Sequence, residues 1–183
     1  MVNSKNDKVY LKYLDTSDAA DLLQLRKRNR DFFQVFEPLR PDSHYTYEAQ
    51  LNEIRKYKVD AENDQGYTMG ILLCKSNRLI GRISLSGIVR GPFQNANLGY
   101  YLDKEFNGKG YVSEAVSLLL YMAFNKLNLH RIQAAVMPKN IGSIKILEKN
   151  KFRKEGLAMN YLNINGVWED HEIYALTKEE YNR

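Results

Sequence analysis

The sequence has one cysteine, four prolines and one tryptophan in 183 residues, and no apolar run of membrane-spanning length. A lone Cys74 excludes an internal disulfide, and three histidines spread along the chain offer no metal-ligand spacing around it, so no metal is expected. These scarcities suit a reducing compartment, where Cys74 reads as a small apolar residue inside a strand. The first eight residues hold no apolar core of signal-peptide length, so a cytoplasmic protein with no membrane contact is expected. No repeat, linker or low-complexity segment divides the chain, and its length suits a single domain over residues 1–183. Charge is not extreme either. The 27 Lys and Arg against 22 Asp and Glu leave +5, a balance that suits a polyanionic cofactor as well as nucleic acid.

What is present is concentrated in residues 97–127. The apolar stretch Leu98 to Leu102 reads as a strand; a polar loop follows, then Gly108-Lys109-Gly110, then at once a long apolar helix. Glycines reach φ > 0 and let ligand oxygens approach the backbone, while the unpaired N–H groups of a first helical turn add their dipole. Such a turn is an anion cradle, although an ordinary strand-to-helix turn has the same pattern. The missing residues narrow the ligand. Lys109 lies between the glycines rather than after the second, which excludes a Walker loop, and no third glycine near Ser113 completes a dinucleotide fingerprint.

The rest of the chain alternates between the two periodicities. Residues 8–15 alternate as a strand, and Thr16 or Ser17 caps a helix running to about Asp31 with Ala19, Leu22 and Leu23 as its apolar stripe. Arg26, Lys27, Arg28 and Arg30 fall away from that stripe and read as a solvated face, so RNA contact is not expected. Residues 31–41 read as a short helical turn and an aromatic, proline-punctuated loop. Thr46 starts a second helix, with Tyr47, Leu51, Ile54 and Ala61 as its stripe. Tyr67 to Cys74 and Leu79 to Val89 form a hairpin, and His130 to Met137 is a later strand. A short helix spans Ile141 to Asn150, and two strands flank Asn165-Gly166, the strongest hairpin signal present. The α/β (α+β) pattern predicts a mixed, mostly antiparallel sheet of about seven strands with helices on both faces.

Two groups of residues resemble the GNAT N-acetyltransferases, in particular the RimJ/RimL branch that acetylates the N-termini of ribosomal proteins. The first is Leu98-Gly99-Tyr100-Tyr101-Leu102-Asp103 with Asn107 to Tyr111 and Glu114-Ala115. The second is His130-Arg131 followed by Asn140, Ser143, Leu147, Lys149, Phe152, Glu155 and Gly156, with Lys151 where the family has glycine. With Trp168, Asp170-His171 and Tyr174 the resemblance covers the whole chain. It implies acetyl-CoA as co-substrate, with Asn107, Gly108, Lys109, Gly110, Tyr111 and Val112 at the pyrophosphate. Tyr101 and Leu102 would lie along pantetheine, and Asn140 and Lys145 beside the thiol end. Ser143 is implied as proton donor to the departing thiolate. Phe36, Glu37 and Asp170 are implied on the acceptor side. Glu105 stands where the wider family carries Gln or Arg.

No general base can be assigned. The positions where relatives place one are Asn97, Ala135, Leu147 and Leu162, leaving Glu155, Glu169, Asp170 or His171 to act through water. That gap bears on the acceptor. An α-amine of pKa ~8 costs about 1.4 kcal/mol to deprotonate at pH 7, against about 4.6 kcal/mol for a lysine-type amine at ~10.4. The acceptor amine is therefore expected to be a protein N-terminus, plausibly ribosomal. A small amine such as an antibiotic, polyamine or amino-acid derivative is the alternative, and a non-catalytic CoA- or RNA-binding module a second one. A homodimer is among the assemblies left open.

Overall fold

A computed structural model describes residues 8–183; the reading that no signal peptide is present rests on the N-terminal stretch, of which residues 1–7 lie outside the described part. Seven strands form one sheet in the order β1-β2-β3-β4-β5-β7-β6. β1 (Val9–Tyr13), β2 (Gly66–Leu73), β3 (Leu79–Val89) and β4 (Asn95–Leu102) are successive antiparallel neighbours. β5 (Arg131–Val136) lies parallel to β4, and β7 (Val167–Thr177) and β6 (Arg153–Ile164) extend the sheet antiparallel beyond it. The parallel pair needs a crossover, which α4 (Tyr111–Asn125) supplies. This is the mixed, mostly antiparallel sheet that the sequence predicts.

Alternation along β4 divides the core. Leu98 and Leu102 join one buried cluster with Val112, Ala115, Val116, Leu119 and Ala123 of α4 and Leu147 of α5 (Ile141–Lys149). Tyr101 points the other way, into a second cluster with Leu22 and Leu25 of α1 (Ala19–Arg28), Phe33 of α2 (Arg30–Gln34) and Ile54 of α3 (Tyr47–Glu62). Each fully buried Leu or Ile contributes ~1.5–3 kcal/mol, so the helices are held to the two faces mainly by these stripes.

Four local expectations change. Asp15, not Thr16 or Ser17, opens the first helical segment: its carboxylate accepts from the Ser17 N–H, and Asp18 returns the bond in a capping box around a 3₁₀ turn before α1. Cys74 is exposed just past β2 rather than buried within it. Tyr47 is also exposed, because the face of α3 that turns inward is Gln50, Leu51, Ile54 and Tyr57. The basic run on α1 is solvated only in part, since Lys27 and Arg28 are exposed but Arg26 is not. Arg26 is 4% exposed, and its guanidinium lies over the rings of Phe33 and Tyr101 while bonding both carboxylate oxygens of Glu37.

Other expectations hold. Thr46 caps α3 by accepting from the Ala49 N–H, and Asn165 and Gly166 turn the β6–β7 hairpin with both φ positive. That hairpin presents Leu157, Met159, Tyr161, Val167 and Trp168 to solvent. Lys151 takes the left-handed conformation, φ 64°, that its family counterpart's glycine would adopt freely. Among the described residues no helix is long and apolar enough to cross a membrane.

One buried charge fixes the end of β4. Asp103 is 1% exposed and accepts from Arg28 Nε at 2.7 Å, Asn29 Nδ2 at 3.1 Å and the Glu105 N–H at 3.3 Å, clipping α1 to the turn that leads into Gly108. Burial alone would raise its pKa, but the bonds from Arg28, Asn29 and the backbone outweigh it and hold the carboxyl below the usual range. A depressed folded-state pKa stabilises the fold above the unfolded value of ~3.9 and ceases to do so as pH falls through the folded one. Asp103→Asn is accordingly expected to cost about 2–3 kcal/mol at pH 7. The gap to wild type should shrink below about pH 4. Urea unfolding at pH 7 and pH 3 measures it, and a gap independent of pH would refute the assignment.

Candidate functional site

β4 and β5 pair only at Asn95, Ala96 and Asn97 opposite Arg131, Ile132 and Gln133. Beyond that point the strands part, and a cleft of about 740 Å³ opens between residues 98–102 of β4 and residues 134–137 at the end of β5. The edge of β4 turned toward β5 is therefore free of ladder partners along the cleft, which leaves backbone donors and acceptors available to a ligand.

At one end of the cleft lies the glycine turn. Gly108 and Gly110 have φ 75° and 84°, and a Cβ added to either would meet no protein atom within 4 Å. The left-handed backbone thus turns open space, not packed protein, toward the start of α4. Gly110 is the N-cap and brings no side chain to the orphan N–H groups of the first turn, so those donors are left for an anion. Asn107, Gly108, Gly110, Tyr111 and Val112 all line the cleft. Lys109 does not: its Nζ donates to the Glu105 carbonyl at 3.0 Å and lies over the Phe106 ring. Glu105, the departure from the family pattern, pairs with Arg78 at 3.0 Å, facing away from any role as a phosphate donor. Lys145 and Lys149 of α5 supply positive charge along the same wall. The residues present fit a pyrophosphate-bearing ligand.

At the middle of the cleft stands Ser143. Asn140 caps α5 by accepting from the Ser143 N–H at 3.1 Å, which places the serine in the first turn facing β4. Its Oγ is 2.7 Å from Tyr100 Oη. Burial pushes the Tyr100 pKa up to about 12, against the opposing effect of the Ser143 bond, so the phenol keeps its proton at neutral pH. Either hydroxyl can donate in this contact, and Tyr100 Oη also reaches the Ser143 carbonyl at 3.3 Å; in the arrangement where Tyr100 donates to Oγ, the serine's own proton is left for the cleft. Sequence reasoning named Tyr100 only as part of a motif; its position two residues from both Leu98 and Leu102, on their face of the strand, was the available signal.

The far end is aromatic and carries the acceptor-side residues. Phe36 and Glu37 line the cleft with Phe32, Phe33, Tyr101 and Leu102. Asp170 lies outside the lining and accepts from the Asn160 N–H at 2.8 Å, across the irregular stretch of the β6–β7 pair. Of the positions where the resemblance puts a base, Asn97 sits on the last paired rung, Ala135 lines the cleft, Leu147 is fully buried and Leu162 is exposed opposite Glu169. Of the acidic candidates, Glu155 is bound by Arg131 and Arg153, and Glu169 by Lys139 at 2.7 Å. His171 is different. It is 4% exposed and lines the cleft, with Nδ1 3.0 Å from the Glu169 carbonyl oxygen; a carbonyl partner requires Nδ1 to carry hydrogen, which leaves Nε2 as an acceptor in the neutral ring. Among the described residues no group of three His, Cys, Asp or Glu is placed to hold a metal ion.

Comparison with known proteins gives the same picture from an independent direction. A family model described as an acetyltransferase (GNAT) domain matches residues 8–153. The chain is 47% identical over 172 residues to a probable N-acetyltransferase, YjcK, of Bacillus subtilis (strain 168), covering 94% of this chain and 95% of that protein. Among solved structures, a ribosomal-protein-S5-alanine acetyltransferase from Vibrio fischeri superposes with a TM-score of 0.91 at 31% identity, over 97% of each chain. RimJ of Mycobacterium smegmatis, solved in complex with CoA-disulfide, also gives 0.91, at 26% identity over 96% of this chain and 84% of that one.

Proposed function

This chain belongs to the GNAT acetyltransferases, and from that premise we propose that it acetylates the N-terminal α-amine of a protein, with its residues acting as one catalytic domain. As a GNAT N-acetyltransferase it takes its acetyl group from acetyl-CoA. The observation that carries the choice of acceptor is the poverty of bases: among the described residues lining the cleft, Glu37 is the one carboxylate, and Arg26 occupies both of its oxygens. A cleft so poor in bases suits an amine of pKa ~8, which loses its proton at neutral pH far more cheaply than one at ~10.4. The name of the Vibrio fischeri relative, a ribosomal-protein-S5-alanine acetyltransferase, favours a ribosomal protein as the acceptor.

In this reading the unpaired edge of β4 receives the thioester, and the amine nitrogen attacks its carbonyl carbon. The C–S bond breaks, the sulfur takes the Ser143 proton, and the amine's surplus proton leaves through His171 or water, from which Ser143 is reprotonated. The glycine turn, Asn140 and Lys145 hold the donor, and Phe36 and Glu37 shape the acceptor end.

Thiol release from acetyl-CoA with short peptides varied at their first residue, against spermidine and an aminoglycoside, tests this reading. Peptide kcat/KM at least about a hundredfold above that for spermidine is expected, in line with the deprotonation difference. Turnover confined to small amines would overturn it.

A further inference from the structure

Behind the acceptor end, on the face covered by α1 and α3, lies a second cavity of about 230 Å³ that shares Glu37 and residues 99–101 with the main cleft. Its charged lining is Arg26, Arg40 and Arg82 against Glu37 and Glu53, with His44 between the helices. Three guanidinium groups face two carboxylates, and both carboxylates are already engaged. Glu37 is taken by Arg26. Glu53 accepts from Tyr57 Oη at 2.6 Å and stands 3.6 Å from His44 Nδ1.

Arg40 and Arg82 are the two cations that no carboxylate hydrogen-bonds, and Arg82 is the less exposed of them. It extends from β3 beside Tyr101, with its guanidinium 4.9 Å from that ring's centre, directly across from Arg26 at 4.8 Å. Its one hydrogen bond is from Nη1 to the neutral Tyr57 Oη at 2.5 Å, and its nearest carboxylate oxygen, on Glu53, is 4.0 Å away. An arginine offers five N–H donors in a planar fork, so most of this fork is unused. The same cavity holds further buried nitrogens without partners: Arg26 Nε, Arg82 Nε and His44 Nε2. Arg26 itself is more than nine-tenths buried. Native proteins keep few such atoms, and two unpaired guanidinium donors on one small cavity mark a place where acceptor oxygens belong.

We infer that this cavity is an acceptor subsite for an anionic oxygen group, a carboxylate or phosphate carried near the reacting amine, with Arg82 as its specificity-determining residue. The inference deepens the N-terminal reading and rests on it for the position of the amine. Two carriers share the chemistry: an acidic side chain at the second or third residue of a peptide, and the α-carboxylate of a free amino acid. The peptide carrier is the one that joins the inference to the proposed function. Neutral ligands would leave the Arg82 fork unmatched, and a basic residue would add a fourth cation to the cavity.

The test is kcat/KM for Ser-starting peptides that differ only in Glu, Ala or Lys at positions two and three, with serine and serine amide as a separate pair. Wild type is expected to favour Glu over Ala by about tenfold or more, as for a hydrogen-bonded charge, and Ala over Lys. Arg82→Gln should flatten the series and Arg82→Lys should restore part of it, which a loss of folding would not do. Equal rates across the wild-type series would overturn the inference while leaving peptide acetylation in place. A preference for serine over serine amide that depends on Arg82, with no peptide turned over, would keep the anion subsite and remove the N-terminal reading.

Discussion

Gly108→Glu is expected to end acetyl transfer in a protein that still folds, with acetyl-CoA affinity reduced by at least about a hundredfold. The fold survives because the new Cβ meets no protein atom within 4 Å, and the cost is the left-handed backbone at φ 75°, about 1–2 kcal/mol. Function does not survive, for a different reason. The added carboxylate stands at the start of α4, where the glycine turn leaves N–H donors for an anion. A like charge about 4 Å from a bound phosphate costs about 4 kcal/mol at an effective dielectric of 20. Gly108→Ala separates the two effects, since it carries the backbone cost without the charge, and should weaken binding by less than about tenfold. Calorimetric titration of both variants with acetyl-CoA measures the gradient. Undiminished affinity in the Glu variant would move the donor site elsewhere.

Ser143→Ala is expected to lower kcat by about a hundredfold with little change in KM for acetyl-CoA, the loss typical of removing a positioned proton donor. Its helix should remain capped, because Asn140 accepts from the residue's backbone N–H and not from its hydroxyl. Tyr100→Phe should lower kcat as well, by leaving Oγ free to turn its proton toward other acceptors. The two act through one hydrogen bond of 2.7 Å, so the double variant should be about as slow as Ser143→Ala alone. Additive losses would mean that the pair does not work as a unit, and an unchanged kcat in Ser143→Ala would leave the residue a structural serine.

How legible this was from the sequence differs residue by residue. The glycine turn was readable because backbone geometry restricts which residues fit, and Gly108 and Gly110 adopt the conformations their type favours. Lys151 was readable for the same reason in reverse, as a lysine required to take a glycine's conformation. The inward turn of Arg26 is carried by its spacing alone. It lies four residues after Leu22 and seven after Ala19, on the buried stripe, whereas a run of basic residues on a helix is usually solvated. Cys74 and Tyr47 failed at element ends, where one residue more or less decides whether a side chain faces the core. The Tyr100–Ser143 bond and the Arg82 cavity were beyond reach, because each depends on side chains from strands and helices far apart in sequence. Spacing along one element says nothing of what stands opposite.

The exposed β6–β7 hairpin carries the protein's single tryptophan, Trp168, 59% exposed and outside the cleft lining. Its tip is tied by Asn165 to the Gln34 carbonyl, next to the aromatic residues of the acceptor end. The tryptophan fluorescence of this enzyme therefore originates from one indole in water. A blue shift on adding an acceptor chain would report the hairpin being covered, in a signal that needs no turnover and no label and that the donor end of the cleft does not touch.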